Sequence, residues 1–137
     1  MPKQLRNGAV KCWFGLSLFG VLSGCGKQMT QSDLVGNYVA DYSAAKEQLT
    51  LLSDGQFIQQ VIIKATSQIL ATNGTWTFDA ADKRVTFRDD LFNILDGFGQ
   101  PKKQPASGIA MLPVIRRFGH IQIGDAPTVK YKKQPNS

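Results

Sequence analysis

Histidine occurs once and cysteine twice in 137 residues. So few soft and imidazole ligands leave no Cys/His cluster for zinc. His120, the single histidine, lies on the polar phase of its segment beside Gly119. A lone imidazole of this kind reads as a solvated surface residue, because a triad also needs an oriented nucleophile and a third group. No serine sits in a Gly-x-Ser-x-Gly elbow. Asp89 and Asp90 are adjacent, so on a strand they face opposite ways and cannot pair as acid and base. Asp79 and Asp82 share one loop, where they favour a turn by side-chain to backbone bonds, and calcium would need more oxygens than these two supply. Gly97-Phe98-Gly99 is too short, and too far from a strand–helix unit, to cradle phosphate. The chain therefore reads as a non-enzyme with no cofactor and no metal.

Long apolar runs are also absent. Trp13 to Leu22 is about half of the ~20 residues that a stable spanning helix needs. Lys3, Arg6 and Lys11 precede it, and small residues follow it. Basic, then apolar, then small is the order of a secretory signal, and the short run favours removal over permanent insertion.

The junction Leu22-Ser23-Gly24-Cys25 resembles the lipobox of bacterial lipoproteins. The resemblance implies a diacylglyceryl group on the Cys25 sulfur, cleavage between Gly24 and Cys25, and acylation such as palmitate on the new amino group. Each buried CH₂ contributes about 0.8 kcal/mol, so two or more chains hold firmly where one binds marginally. Gly26 follows the cysteine. In Gram-negative lipoproteins an aspartate there favours inner-membrane retention, so the resemblance implies an outer-membrane protein facing the periplasm in such a host. The other reading of this stretch is an ordinary signal peptide or apolar N-terminal helix with a chance cysteine.

Cleavage before Cys25 takes 24 of the 137 residues and leaves 113, enough for one domain. The formal charge falls from +6 to +3 as Lys3, Arg6 and Lys11 leave. The remaining cations are scattered along the chain, with pairs at Lys102-Lys103, Arg116-Arg117 and Lys132-Lys133 among them. They form no clustered patch with stacking aromatics of the kind nucleic acid requires. Cys12 leaves with the signal and Cys25 is taken by lipid, so the domain holds itself by packing alone; without processing, a Cys12–Cys25 bridge is the alternative.

Residues 25–33 read as the lipidated cysteine and tether, 34–133 as a β-domain and 134–137 as a frayed tail. Ser32 to Gly36 suits one helical turn, with Ser32 as cap and Gly36 as stop. Period two then takes over. Tyr38, Ala40 and Tyr42 share one face, and so do Leu49 and Leu51, with Gln48 and Thr50 opposite. Asp54-Gly55 predicts a two-residue hairpin turn into a strand over 56–64, and Asn73-Gly74 predicts a second turn after a strand over 67–72. Thr75 to Phe78 and Arg84 to Arg88 alternate strictly around a loop over 79–83, which puts Trp76, Phe78, Val85 and Phe87 on the inner face. Leu91 to Phe98 suits a strand, a short covering helix or an exposed apolar lid, and residues 98–108, with Gly99, Pro101, Pro105 and Gly108, predict an exposed loop. A strand over 109–118 carries Pro113, which argues for an edge or bulge. Ile121 and Ile123 point in beyond the turn at Gly119, Gly124 to Pro127 forms another turn, and Val129 and Tyr131 complete the last strand.

The outcome is an all-β fold of seven to nine strands: an antiparallel up-and-down meander, curled or closed to relieve its edges. Gly36-Asn37-Tyr38, Ser53-Asp54-Gly55-Gln56-Phe57 and Gly74-Thr75-Trp76 give this part a resemblance to small lipocalin-like lipoprotein domains. That implies a small barrel. Tyr38 stands where lipocalins carry tryptophan, and the chain is shorter than theirs; both argue against a roomy cavity. Tyr38, Phe57, Trp76 and Phe87 are the candidate ligand-lining residues, although inward side chains of so small a sheet tend to fill it. The reading is a non-enzymatic, membrane-anchored envelope lipoprotein whose β-domain binds a small apolar ligand or an envelope protein. The alternative is a structural, interaction or inhibitor module with a filled core that acts through its loops.

Overall fold

The computed structural model describes residues 27–89, 91–95, 101–106, 108–125 and 130–135. The signal segment with Cys12, Gly24 and Cys25, the Gly97-Phe98-Gly99 stretch, Asp90, the turn residues Ala126 and Pro127, and Val129 lie outside them. Among the described residues one short helix, α1 (Gln31–Leu34), precedes ten strands: β1 (Gly36–Asp41), β2 (Ala45–Leu51), β3 (Gln56–Ile63), β4 (Gln68–Asp79), β5 (Arg84–Arg88), β6 (Asn93–Leu95), β7 (Pro101–Ala106), β8 (Ala110–Arg117), β9 (His120–Ile123) and β10 (Tyr131–Lys133). Eight strands close an antiparallel barrel in the order β1-β10-β9-β8-β5-β4-β3-β2, while β6 and β7 pair as a separate ribbon. Apart from that excursion, every strand neighbours its chain neighbour, which is the up-and-down meander that the consecutive hairpins predict. Closure comes from β1 on β10 (Tyr38 opposite Lys133) and removes both sheet edges.

Antiparallel pairing sorts the connections into two ends. Gly36 opposes Leu51, Gln56 opposes Thr75, and Lys132 opposes both Val39 and Gln122. Hence α1 and the β2–β3, β4–β5 and β8–β9 turns share one end, here the near end. The β1–β2 and β3–β4 turns and the excursion through β6 and β7 share the far end.

The near end is plugged. Leu34 is fully buried, the backbone N–H of Phe78 donates to Gln31 Oε1 (3.2 Å), and the Tyr38 hydroxyl donates to the Leu34 carbonyl (2.6 Å). That last bond satisfies a carbonyl the helix leaves unpaired. The helix begins two residues earlier than Ser32 predicts. Thr30 is its cap because the Asp33 carboxylate, three residues on, accepts from the Thr30 N–H (2.8 Å). The chain leaves the helix at Val35 (ψ 133°), before Gly36.

Three further expectations need correction. The Asp54-Gly55 hairpin has three loop residues rather than two: the Leu52 N–H donates to the Gln56 carbonyl and the Gly55 N–H to the Leu52 carbonyl. Gly55 takes the positive φ (84°) that such a loop ends on. Asn73-Gly74 is no turn, since β4 runs straight through it and the β3–β4 turn lies at 64–67. A Cβ on Gly74 would meet the Arg88 carbonyl oxygen at 2.2 Å and the Phe57 ring at 2.7 Å. Glycine is there for close backbone approach within a strand, not for chain reversal. Residues 101–106 are strand β7, not loop; Asn93 pairs with Ala106 and Leu95 with Pro101 across an irregular register. A two-stranded ribbon has open outer edges, where proline's missing N–H costs no ladder bond.

Pro113 does sit at a break in pairing. Residues Ala110 to Pro113 pair with β5 and Val114 to Arg117 with β9. At the change of partner the Pro113 carbonyl accepts from the Gly124 N–H (2.8 Å).

Candidate functional site

The barrel interior is the first place to look. Inward phases bring Tyr38 from β1, Phe57 from β3, Trp76 from β4 and Phe87 from β5 into one cluster with Leu49, Leu51 and Ile123. All four aromatic candidates are at most 1% exposed. Phe57 and Phe87 meet edge to face at 5.3 Å, and the Trp76 indole N–H donates to the Leu52 carbonyl (3.1 Å). The four are therefore brought together, as packed core. Phe78, placed on the same inner face by its alternation, is half-buried against that cluster.

Toward the far end the interior turns polar. Glu47 is 2% exposed and Gln59 fully buried. The Tyr131 hydroxyl donates to Glu47 Oε2 and accepts from Gln59 Nε2 (3.0 Å). Gln59 also spans the backbone of Phe92: its Nε2 donates to the Phe92 carbonyl (3.0 Å), and its Oε1 accepts from the Phe92 N–H (2.8 Å). Thus the segment entering β6 is clipped across the barrel by one amide. Burial pushes the Glu47 carboxyl above its ordinary range, against the hydrogen bonds from Tyr131 and Gln59. Burial and the neighbouring Glu47 push the Tyr131 phenol well up. Tyr42, which accepts from the Lys130 N–H (2.8 Å), is raised to about 12, chiefly by burial. No buried side-chain polar atom among the described residues lacks a partner.

Glu47 and Gln59 are residues that reading the sequence for apolar alternation missed. The signal was present: Glu47 shares the phase of Leu49 and Leu51, and Gln59 that of Phe57 and Val61.

The outside offers the second candidate. An open groove of about 950 Å³ runs along β8, β9 and β10, with Ile115, Arg117, Phe118, His120 and Lys132 among its walls. Ile115 opposes Gln122, and Arg117 opposes His120, so these side chains share the outer face. Met111 and Ile109 continue an exposed apolar row down β8, and Phe118 is 94% exposed. His120 points outward at a hairpin tip rather than into the barrel.

Asp79 Oδ1 accepts from the backbone N–H of Ala81 (2.8 Å) and Asp82 (3.1 Å), which is the turn role its position predicts. Asp89 takes a positive φ (65°) where β5 ends. Comparison with protein-family models, curated proteins and solved structures finds no match for this chain.

Proposed function

We propose that the chain is a lipid-anchored envelope protein, held at Cys25, whose closed β-barrel is a binding module that works from its outer face. The observation that carries the second half is a contrast: the inward aromatics are packed at 0–1% exposure, while the β8–β10 face presents a groove with exposed Ile115 and Phe118. Apolar side chains left in water beside a rim of cations are what an interaction surface keeps. The anchor half is supported by the basic–apolar–small order before Leu22-Ser23-Gly24-Cys25.

Photo-crosslinking in the host tests this reading. A photoreactive residue at Gln122, inside the groove, should give discrete adducts, and one at Gln60, on the outer face of β3 away from the groove, should give none. Adducts at Gln60 alone would refute it.

A second reading, a small apolar ligand inside the barrel, draws on the Gln59 clip, which is one amide's worth of attachment over the far end. A hydrophobic dye separates the two. Dye taken up by the folded protein and displaced by ligand favours the interior, and no uptake favours the outer face.

A further inference from the structure

The β8–β9 hairpin ends in Arg116-Arg117-Phe118-Gly119-His120. Its last pair is Arg117 opposite His120. Phe118 (φ 50°) and Gly119 (φ 80°) both take positive φ, the primed turn that matches strand twist. Asn-Gly is the usual choice there. A bulky side chain in this backbone region is an outlier, held at an energetic cost. Phenylalanine bears that cost while 94% exposed, so no packing within the barrel offsets it. A ring kept exposed in such a turn points to a contact outside the barrel.

Charge and placement say what that is. Arg116, Arg117 and His120 flank Phe118, and Lys132 and Lys133 follow on the neighbouring strand β10. The carboxylates nearby are Asp33, which lies within the field of Arg116, and Asp125 at the groove. The Lys133 ammonium reaches across to the Asp33 carbonyl (2.6 Å), which ties β10 to α1. The hairpin tip therefore shares the near end with α1, where the chain arrives from Cys25. Four residues lie between Cys25 and Thr30, and the five steps reach at most about 18 Å when extended. Resting on the lipid-anchor reading, the tip faces the same bilayer that holds the acyl chains.

We infer that the Arg116–His120 hairpin docks on the anionic phospholipid surface of that bilayer, with Phe118 entering the headgroup boundary and Arg116 and Arg117 binding phosphates. A phenyl ring at this depth leaves water for the headgroup and acyl boundary while neighbouring cations stay at the headgroups. Guanidinium groups bind phosphate in a bidentate fork. The contact would orient the barrel, near end down, and leave the far end and its Gln59 clip toward the aqueous side.

The test uses a Phe118→Trp variant of the processed protein, whose one other tryptophan after the signal, Trp76, is buried. Intact mass first records whether Cys25 carries acyl groups. The protein is then placed on vesicles of brominated phosphatidylcholine, alone or mixed with brominated phosphatidylglycerol. Bromine should quench residue 118 on the anionic vesicles and much less on the zwitterionic ones. Adding Arg116→Gln and Arg117→Gln should lower partitioning of unacylated protein on the order of 30-fold, at about fivefold per cation near the surface. Equal quenching on both vesicle types, or none on anionic vesicles from mass-confirmed acylated protein, would overturn the proposal. Quenching with a bare Cys25 would leave the hairpin proposal standing and remove the anchor.

Discussion

Replacing Tyr131 by phenylalanine deletes one oxygen that serves two buried groups. The hydroxyl donates to the Glu47 carboxylate and accepts from Gln59 Nε2. A hydrogen bond to an ionised partner contributes about 1.5–3 kcal/mol, and a neutral one about 0.5–1.5. At a pH above the raised Glu47 value, where the carboxylate is ionised, the change should cost roughly 2–4 kcal/mol, a large part of the 5–15 kcal/mol that a domain usually has.

The pH dependence has a definite sign. Burial raises the folded-state Glu47 carboxyl above its ordinary 4.5. Its stabilising contribution is thus complete below 4.5 and is lost as pH rises through the raised value. Removing the Tyr131 donor removes one of the two bonds that hold this value down, so the loss on going up in pH becomes larger. At about pH 4 the deletion should cost only about 1–2 kcal/mol, since both lost bonds are then neutral. Urea denaturation followed by Trp76 fluorescence reads this as a midpoint shift, with a slope of about 1–3 kcal/mol/M. The exposed Asp33 and Asp41, whose carboxyls are lowered, affect both proteins alike and cancel in the difference. In a Glu47→Gln background the Tyr131→Phe cost should stay at about 1–2 kcal/mol and become independent of pH. A cost equal at both pH values, or larger in acid, would refute the reasoning.

Other outcomes follow from single contacts. Gly74→Ala forces a methyl against the Arg88 and Asp89 carbonyls and the Phe57 ring, and should destabilise by about 1–3 kcal/mol or more in the same denaturation. Trp76→Phe removes the indole bond to the Leu52 carbonyl, which keeps its bond from the Gly55 N–H, and should cost about 0.5–1.5 kcal/mol in hydrogen bonding. Gln59→Leu removes both bonds to Phe92, so hydrogen exchange at the Phe92 amide should accelerate while the β2–β3 amides stay protected; unchanged exchange at Phe92 would show that the clip holds nothing. Phe118→Asn relieves the φ of 50° and should raise the melting temperature, by about 1 kcal/mol of relieved strain, while weakening vesicle binding.

The barrel was legible where alternation is strict and turns are short. Trp76, Val85, Phe87, Ile121 and Ile123 all lie where period two puts them, because one face of each strand must be dry. Turn chemistry misled at Asn73-Gly74, since glycine serves close approach as well as reversal, and only the position of Arg88 and Asp89, 14–15 residues on, tells which. Residues 101–106 carry the composition of a loop and pair all the same. At the site, the aromatic cluster was legible as a group but not as packed or hollow, which depends on barrel diameter. The Glu47–Tyr131 contact joins residues 84 apart and exists only because β10 closes on β1. Phe118 was visible beside its arginines, but its exposure depends on β8 and β9 running past the end of β5, a matter of shear rather than local pattern.

Whether the chain is held at a membrane turns on the chemistry of one sulfur, that of Cys25. The measurement is the intact mass of the protein isolated from membranes of its own host, for the wild type and for Cys25→Ser. Anchoring at Cys25 predicts a wild-type chain that begins there and carries acyl groups, and a Cys25→Ser chain that carries none and is lost from the membrane fraction. An unmodified wild-type chain that begins elsewhere would contradict it, and would return Cys25 to the status of a free or disulfide-forming thiol.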